Sequence, residues 1–106
     1  MLVPNIELTN KAQNPVEIYG RARKRYLEEN KPAQYSAMII QGTLQSHLQE
    51  VEIQAERLLE MQTPQLQEAW EVTEQMKATD PMKWVGMMNN IKSTIEETIY
   101  SEIVYK

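Results

Sequence analysis

The stretch Lys77-Ala-Thr-Asp-Pro-Met-Lys-Trp-Val85 (KATDPMKWV, residues 77–85) marks where one long helical segment ends and the next begins. Asp80 is the only aspartate in the chain and stands directly before Pro81. An N-cap aspartate accepts hydrogen bonds from the free N–H groups of a first helical turn. Proline suits the N1 position because its missing N–H is not needed there. The sequence therefore predicts a helix that begins at Pro81.

A broad apolar stripe follows this helix start. Its members recur every three or four residues, which is the spacing of one helical face. They are Trp84, Met88, Ile91, Ile95, Ile99 and Ile103. The spacing predicts a C-terminal helix over 81–104 that is wide enough to pack against two neighbours.

Upstream of the same stretch, residues 43–78 carry apolar residues at heptad spacing. One heptad position holds Leu44, Val51, Leu58 and Val72, and the other holds Leu48, Ala55, Ala69 and Met76. Pro64 interrupts this seam, and Thr63 before it is a candidate cap. Because proline removes a helical hydrogen bond and kinks the backbone, residues 43–78 are predicted to form one bent helix or two nearly coaxial helices.

Two shorter helices are predicted before the seam, a basic helix over 15–29 and a short helix over 32–41. Pro32 ends the first, and Gly42 provides the C-terminal turn of the second. Residues 1–14 contain several helix breakers and are predicted to form an arm. The 106 residues are thus predicted to be one all-α domain, a small bundle of four to five helices with a long, kinked central helix.

The composition limits the chemistry and the compartment. Cysteine is absent, which excludes disulfides, thiolate catalysis and Cys-ligated metals. No apolar run approaches the roughly 18 residues of a membrane span, and the N-terminus lacks the pattern of a signal peptide. We therefore expect a cytoplasmic protein with no membrane contact.

The titratable residues do not form a recognisable catalytic or metal-binding set. His47 is the only histidine and has no cysteine or second histidine to work with. Glu52, Glu56 and Glu60 form a row at helical spacing that is typical of a solvated face, and no Glu-x-x-His pair of a di-metal bundle occurs. We expect no enzyme, no metal and no cofactor, and a surface or helix-terminal role for His47.

A basic block is the strongest functional lead. Residues 17–26 hold four cations against Glu17, a local charge of +3, which leaves −7 for the rest of a chain whose total is −4. The candidate nucleic-acid-binding residues are Arg21, Arg23, Lys24, Arg25 and Lys31. Cations on one helical face can follow phosphates. The alternative is a solvated face whose cations pair with neighbouring glutamates.

Residues 32–41, Gly42 and the helix from Thr43 also have the order of a helix-turn-helix motif. The would-be reading positions include no arginine or lysine, and the second helix is much longer than a recognition helix. A plain helical hairpin is the preferred interpretation.

Four stretches of the sequence resemble the family of the transposon-encoded protein TnpV. They are VPNIEL, YGRARKRYLEENKPAQY, GTLQSHLQEVEIQA and KATDPMKWVGMMNNIKSTIEETIYSEIVY. The last is the most specific and contains the signature residues Asp80, Pro81 and Trp84. The resemblance implies a non-enzymatic accessory protein of a bacterial mobile element. Its expected role is excisionase-like or recombinase-assisting, and the basic block would contact the element's DNA.

The runner-up is a protein-binding module or inhibitor that never contacts DNA. Its seam and acidic body would engage a recombinase or a host protein, for example a nuclease or CRISPR effector. The long seam also favours a homodimer, although a bundle closed within one chain stays open. A metal-dependent enzyme is a third, less favoured reading.

Overall fold

The computed structural model describes residues 16–106, and this part of the chain consists of helices joined by short turns. The elements are α1 (Ile18–Asn30), α2 (Pro32–Gln41), α3 (Leu44–Ala69), α4 (Glu74–Thr79) and α5 (Pro81–Ile99), which continues into a π-helical turn (Tyr100–Val104). No strand occurs within residues 16–106. The predicted all-α class, with a long central and a long C-terminal helix, is confirmed. The predicted arm over 1–14 lies outside the described residues, and the first helix begins at Ile18 and not at the predicted residue 15, since residues 16 and 17 are not helical.

The helix starts follow local capping chemistry. Asp80 Oδ1 accepts a hydrogen bond from Lys83 N at 3.3 Å, and Pro81 is the first residue of α5, as the sequence predicted. Thr73 Oγ1 accepts from Met76 N at 3.1 Å and caps α4 in the same way. Gly42 closes α2 with a φ of 73°, a left-handed conformation that glycine adopts without a steric penalty.

The long central segment breaks at a different place from the one predicted. α3 continues through Pro64 and ends at Ala69, and the break falls at residues 70–73. Glu71 adopts a φ of 56°, and Val72 N donates to Gln67 O at 2.8 Å, which closes the turn. Residues 43–78 therefore contain two helices, which was one of the two predicted alternatives, but the break lies at residues 70–73 and the predicted break at Pro64 is wrong. Pro64 is exposed, so water can replace the hydrogen bond that its ring removes.

The apolar core lies between α3 and α5, and α1 covers one end of it. Its buried members are Tyr19, Ala55, Val72, Ile91, Ile95, Ile99 and Val104. Three of the isoleucines of the predicted α5 stripe are thus buried. Full burial of each such side chain contributes roughly 1.5–3 kcal/mol. The core therefore fixes α5 against α3 and sets the end of the chain beside α1.

The molecule is flat and leaves apolar surface open. Its extents are 54 × 44 × 19 Å and its radius of gyration is 17.8 Å, compared with about 12–13 Å for a compact chain of this size. Helix α2 has no buried residue, and Ile40 and Met82 are 85% and 82% exposed. None of the helices described is long and apolar enough to cross a membrane.

Candidate functional site

The outer face of α1 carries three cations. Arg21, Lys24 and Arg25 are exposed and lie three and four residues apart, so they share one face of the helix. Glu17 and Glu28 lie four residues from Arg21 and Lys24, so the alternative of a solvated face remains available. We call Arg21, Lys24 and Arg25 the basic face.

Arg23 does not belong to the basic face. It is only 7% exposed, although the sequence placed it among the candidate nucleic-acid-binding residues. Its Nε donates to His47 Nε2 at 3.1 Å, and its Nη1 donates to the carbonyl oxygen of Val104 at 2.9 Å. The guanidinium also lies 5.7 Å from the centroid of the Tyr26 ring. Arg23 therefore joins α1, α3 and the π-helical turn from inside the fold.

His47 has a structural partner that the sequence did not reveal. Because the Arg23 guanidinium can only donate, His47 Nε2 must present a lone pair, which fixes the imidazole in its neutral form. Burial, and then the positive charge of Arg23, lower the pKa of His47 from its ordinary 6.5, against a smaller opposing influence of Glu50. His47 is half-buried and serves as an acceptor for a buried arginine.

Lys31, the last of the candidate cations, is half-buried at the junction of α1 and α2. Its Nζ donates to the carbonyl oxygen of Lys106 at 3.2 Å. This hydrogen bond links the end of α1 to residue 106. Lys31 is therefore engaged within the fold and is not part of the basic face.

Glu52 caps α1 from a different helix. Its Oε1 accepts from the backbone N–H groups of Glu17 at 2.9 Å and Gly20 at 2.8 Å. The free N–H groups of a first turn need such acceptors. Glu52 is 1% exposed, so the expectation that it lies on a solvated face is wrong. The sequence pattern missed it because the carboxylate's partners are 35 and 32 residues away.

Gly20 permits this close approach of α1 to α3. A Cβ atom at residue 20 would lie 3.0 Å from Leu48 O, 2.6 Å from Val16 Cγ1 and 3.4 Å from Glu52 Oε1. Any larger side chain would push the helix away from its capping carboxylate. A glycine within an otherwise good helical sequence is the one signal that could have indicated this contact.

Glu17, Glu52 and Glu56 bring carboxylate oxygens within 4.8 Å of one another. Oxygen ligands of this kind suit hard cations. Two backbone N–H groups already occupy Glu52 Oε1, however, and burial together with the charges of Glu52 and Glu17 raises the pKa of Glu56. Helix capping therefore accounts for the position of Glu52 in this cluster.

Four tyrosines gather where α1 meets the π-helical turn. Tyr19 donates from its hydroxyl to Glu96 Oε2 at 2.7 Å and meets Tyr100 edge-on, with ring centroids 6.0 Å apart. Tyr105 lies between Tyr26 and Tyr100, at centroid distances of 5.4 and 5.6 Å. Burial, then the hydrogen bond to Glu96 and its charge, raise the pKa of Tyr19 well above its usual range.

An open cleft of about 480 Å³ lies beside this tyrosine row. We call it the tyrosine–glutamate cleft, and it is lined by Ser93, Glu96, Glu97, Tyr100, Ser101 and Tyr105. Sequence reasoning missed it because Tyr100 and Tyr105 are five residues apart, which an α-helix would place on different faces. The π-helical turn brings them together, and Tyr105 N donates to Tyr100 O at 2.8 Å.

The signature residues have structural contacts of their own. Asp80 and Pro81 are exposed at the start of α5, while Trp84 is half-buried. The ammonium of Lys77 lies 4.9 Å from the Trp84 ring, a cation–π arrangement. The indole Nε1 of Trp84 is buried and has no hydrogen-bond partner among the described residues. The signature thus fixes the α4–α5 junction.

These features define a flat, all-helical protein with a basic face on its first described helix and a tyrosine–glutamate cleft at the opposite end of the sequence. The chain belongs to the TnpV family, because the family model described as transposon-encoded protein TnpV matches residues 1–104. The resemblance seen in the sequence is confirmed. No curated protein and no solved structure matches the chain significantly.

Proposed function

We propose that this transposon-encoded protein is a non-enzymatic accessory factor that binds DNA of its mobile element through the basic face. One observation carries the proposal. Arg21, Lys24 and Arg25 are exposed together on one helical face, while the buried Arg23 holds that helix in place. The family supplies the transposon context. An excisionase-like or recombinase-assisting role is the function that this combination supports best.

The charge distribution gives the interaction an orientation. The chain carries −4 overall, so the acidic body is repelled by phosphates while the basic face is attracted. Three lysine or arginine contacts to phosphate release counterions. A plot of the logarithm of the binding constant against the logarithm of the salt concentration should therefore have a slope of about −2.7. Such a small footprint positions a protein on DNA without reading much sequence. Selectivity would come from a recombinase bound at the same site.

Fluorescence anisotropy with a labelled duplex from the end of the element tests this function. A scrambled duplex and two salt concentrations separate selective binding from phosphate attraction. The decisive variant reverses the basic face (Arg21→Glu, Lys24→Glu, Arg25→Glu). Its matched control makes the same charge change at other exposed cations (Arg57→Glu, Lys83→Glu, Lys92→Glu). Both variants need an unchanged circular dichroism spectrum.

The expected result is loss of binding in the basic-face variant and a much smaller loss in the control. Equal losses in both variants would mean that net charge alone governs the interaction. Retained binding in the basic-face variant would contradict the proposal, because the DNA contact would then lie elsewhere.

The alternative function, a protein-binding module or inhibitor of a host or element protein such as a nuclease, is favoured by the exposed apolar surface. α2 contains no charged residue and buries none of its side chains. A second copy of the chain could pair with this helix without bringing like charges together. Light scattering of the wild type and of Ile40→Gln tests for that homodimer. Pull-down with and without nuclease separates a direct protein partner from one bridged by DNA.

A further inference from the structure

We infer that the tyrosine–glutamate cleft binds an arginine side chain of a partner protein. The cleft lies between the C-terminal part of α5 and Tyr105, and nothing in the DNA-binding proposal uses it. It combines two features that a guanidinium requires, aromatic faces and carboxylates, in an open volume of about 480 Å³. This inference is independent of the basic face.

The aromatic part of the cleft is formed by Tyr100 and Tyr105. Their ring centroids are 5.6 Å apart and their planes are inclined by 34°, and Tyr105 is 54% exposed. Planar guanidinium groups stack on aromatic faces and gain cation–π attraction there. Two tilted rings beside an open volume provide such a surface.

The polar part of the cleft offers acceptors rather than donors. Glu96 and Glu97 supply carboxylates, and Ser101 directs its hydroxyl hydrogen to Thr98 O at 3.3 Å, which leaves the oxygen lone pairs free. An arginine has five N–H donors and no acceptor. The hydrogen bond from Tyr19 holds Glu96 in place before any ligand arrives, which lowers the entropy cost of binding.

The same chemistry excludes the other obvious occupants. A phosphate of a nucleic acid would meet Glu96 and Glu97 and be repelled by them. A purely apolar side chain would displace water from these carboxylates without replacing its hydrogen bonds. A lysine ammonium is a compact, strongly hydrated charge that matches flat rings less well than a guanidinium does.

The molecule already uses this contact once, at the other end of the same tyrosine row. Arg23 lies 5.7 Å from the Tyr26 centroid, and the Tyr26 ring is 5.4 Å from that of Tyr105. An internal arginine thus occupies one end of the row Tyr26–Tyr105–Tyr100, while the cleft exposes the other end. An arginine from a partner would complete the same arrangement from outside.

NMR titration of the full chain with a blocked tripeptide, acetyl-Ala-Arg-Ala-amide, tests the inference. Matched peptides carry citrulline, which keeps the shape and loses the charge, or lysine. We expect the arginine peptide to shift the signals of Glu97, Tyr100 and Tyr105. We expect the citrulline peptide to bind at least tenfold more weakly and the lysine peptide to lie between them.

Two variants locate the site. Glu97→Gln removes an exposed carboxylate that has no role in the fold described above, and it should weaken the arginine peptide severalfold. Tyr105→Ala should weaken it further. Glu68→Gln removes the same charge from an exposed position on α3 and should leave the affinity unchanged.

Equal binding of the arginine and citrulline peptides, or an affinity that Glu97→Gln leaves unchanged, would overturn the inference. Lysine binding as tight as arginine would overturn the choice of arginine. A single-stranded oligonucleotide that shifts the same signals would instead assign the tyrosines to base stacking. None of these outcomes depends on whether the basic face binds DNA, because the variants leave its cations intact.

Discussion

The helix α3 is packed by α5 and by α1 in two different ways. Against α5 the contact is apolar and is filled by Ala55, Ile91 and Ile95. Against α1 the contact includes specific hydrogen bonds between buried polar groups, since Glu52 caps the helix and Arg23 donates to His47. Truncation of a buried apolar side chain removes packing and leaves a cavity, whereas removal of a polar partner leaves a buried group without its hydrogen bond. The two junctions should therefore respond differently to substitution.

The largest effect should come from the apolar junction. Ile95 is fully buried, so Ile95→Ala should lower the free energy of unfolding by about 2–5 kcal/mol through lost transfer energy and the cavity left behind. Met82→Ala, at a residue 82% exposed, is the control and should change it by less than about 0.5 kcal/mol. Urea denaturation measures both. Similar losses in the two variants would mean that the α3–α5 contact is not the core.

The polar junction comes next. Glu52→Ala leaves the N–H groups of Glu17 and Gly20 without an acceptor and should cost about 1–3 kcal/mol. Glu50→Ala, an exposed neighbour on the same helix, is the matched control. Hydrogen exchange should show faster exchange at the start of α1 in Glu52→Ala alone. Unchanged exchange there would contradict the capping role.

Substitution of two glycines by alanine should change the stability in opposite directions. Gly20→Ala should destabilise the fold by about 1–3 kcal/mol because the added methyl group meets Val16 and the Leu48 carbonyl. Gly86→Ala should stabilise it by about 0.5–1 kcal/mol, since residue 86 lies within α5 with nothing within 4 Å of the new atom. Thermal unfolding of both variants tests the pair. A stabilising Gly20→Ala would show that α1 can move away from α3 without loss.

The smallest effect is a pH dependence confined to the polar junction. Well above pH 6.5, the ordinary pKa of histidine, His47 is neutral in both states and has no influence on stability. As the pH falls below 6.5, the unfolded chain takes up a proton that the folded protein resists, so stability decreases until the lowered folded pKa is reached. One such proton contributes at most about 1.4 kcal/mol per pH unit.

His47→Gln isolates that contribution, because glutamine can still accept from Arg23 but does not titrate. The free energy of unfolding of the wild type, minus that of the variant, should decrease from pH 7 to pH 5, because only the wild type loses stability through His47. The comparison also cancels the opposite influence of Glu56, whose raised pKa favours the folded state as the pH falls. A difference that is flat with pH would mean that the Arg23–His47 hydrogen bond is not maintained in solution.

The apolar packing of the helices was largely predictable from the sequence, whereas the polar contacts between helices were not. The start of α5 was predictable because Asp80 caps Lys83 N three residues away, and its stripe was predictable because the apolar residues recur at helical spacing. The end of α3 was missed because Ala69 still fits the heptad pattern. The left-handed backbone of Glu71 ends the helix, and a glutamate at this position does not indicate that conformation. The roles of Arg23 and Glu52 depend on partners that only the folded chain brings near.

The basic face shows both outcomes within one helix. Its three exposed cations lie at the helical spacing that predicted them, and burial separates Arg23 from the set. The tyrosine–glutamate cleft had no sequence signal, since Tyr100 and Tyr105 meet only through a π-helical turn. Local sequence rules predict helices and their exposed faces, but they do not predict polar contacts between residues that are distant in sequence.

The bond between Arg23 and Val104 also bears on how the protein is made. The two residues are 81 positions apart, and the contact of Tyr19 with Glu96 spans 77. A ribosome releases α1 long before either partner has been synthesised. Before α5 has been synthesised, α1 can pack only against α2 and α3, and the Arg23 guanidinium stays hydrated until the π-helical turn is available. Closure of the fold is therefore a late event that requires α5 and the π-helical turn to have been synthesised.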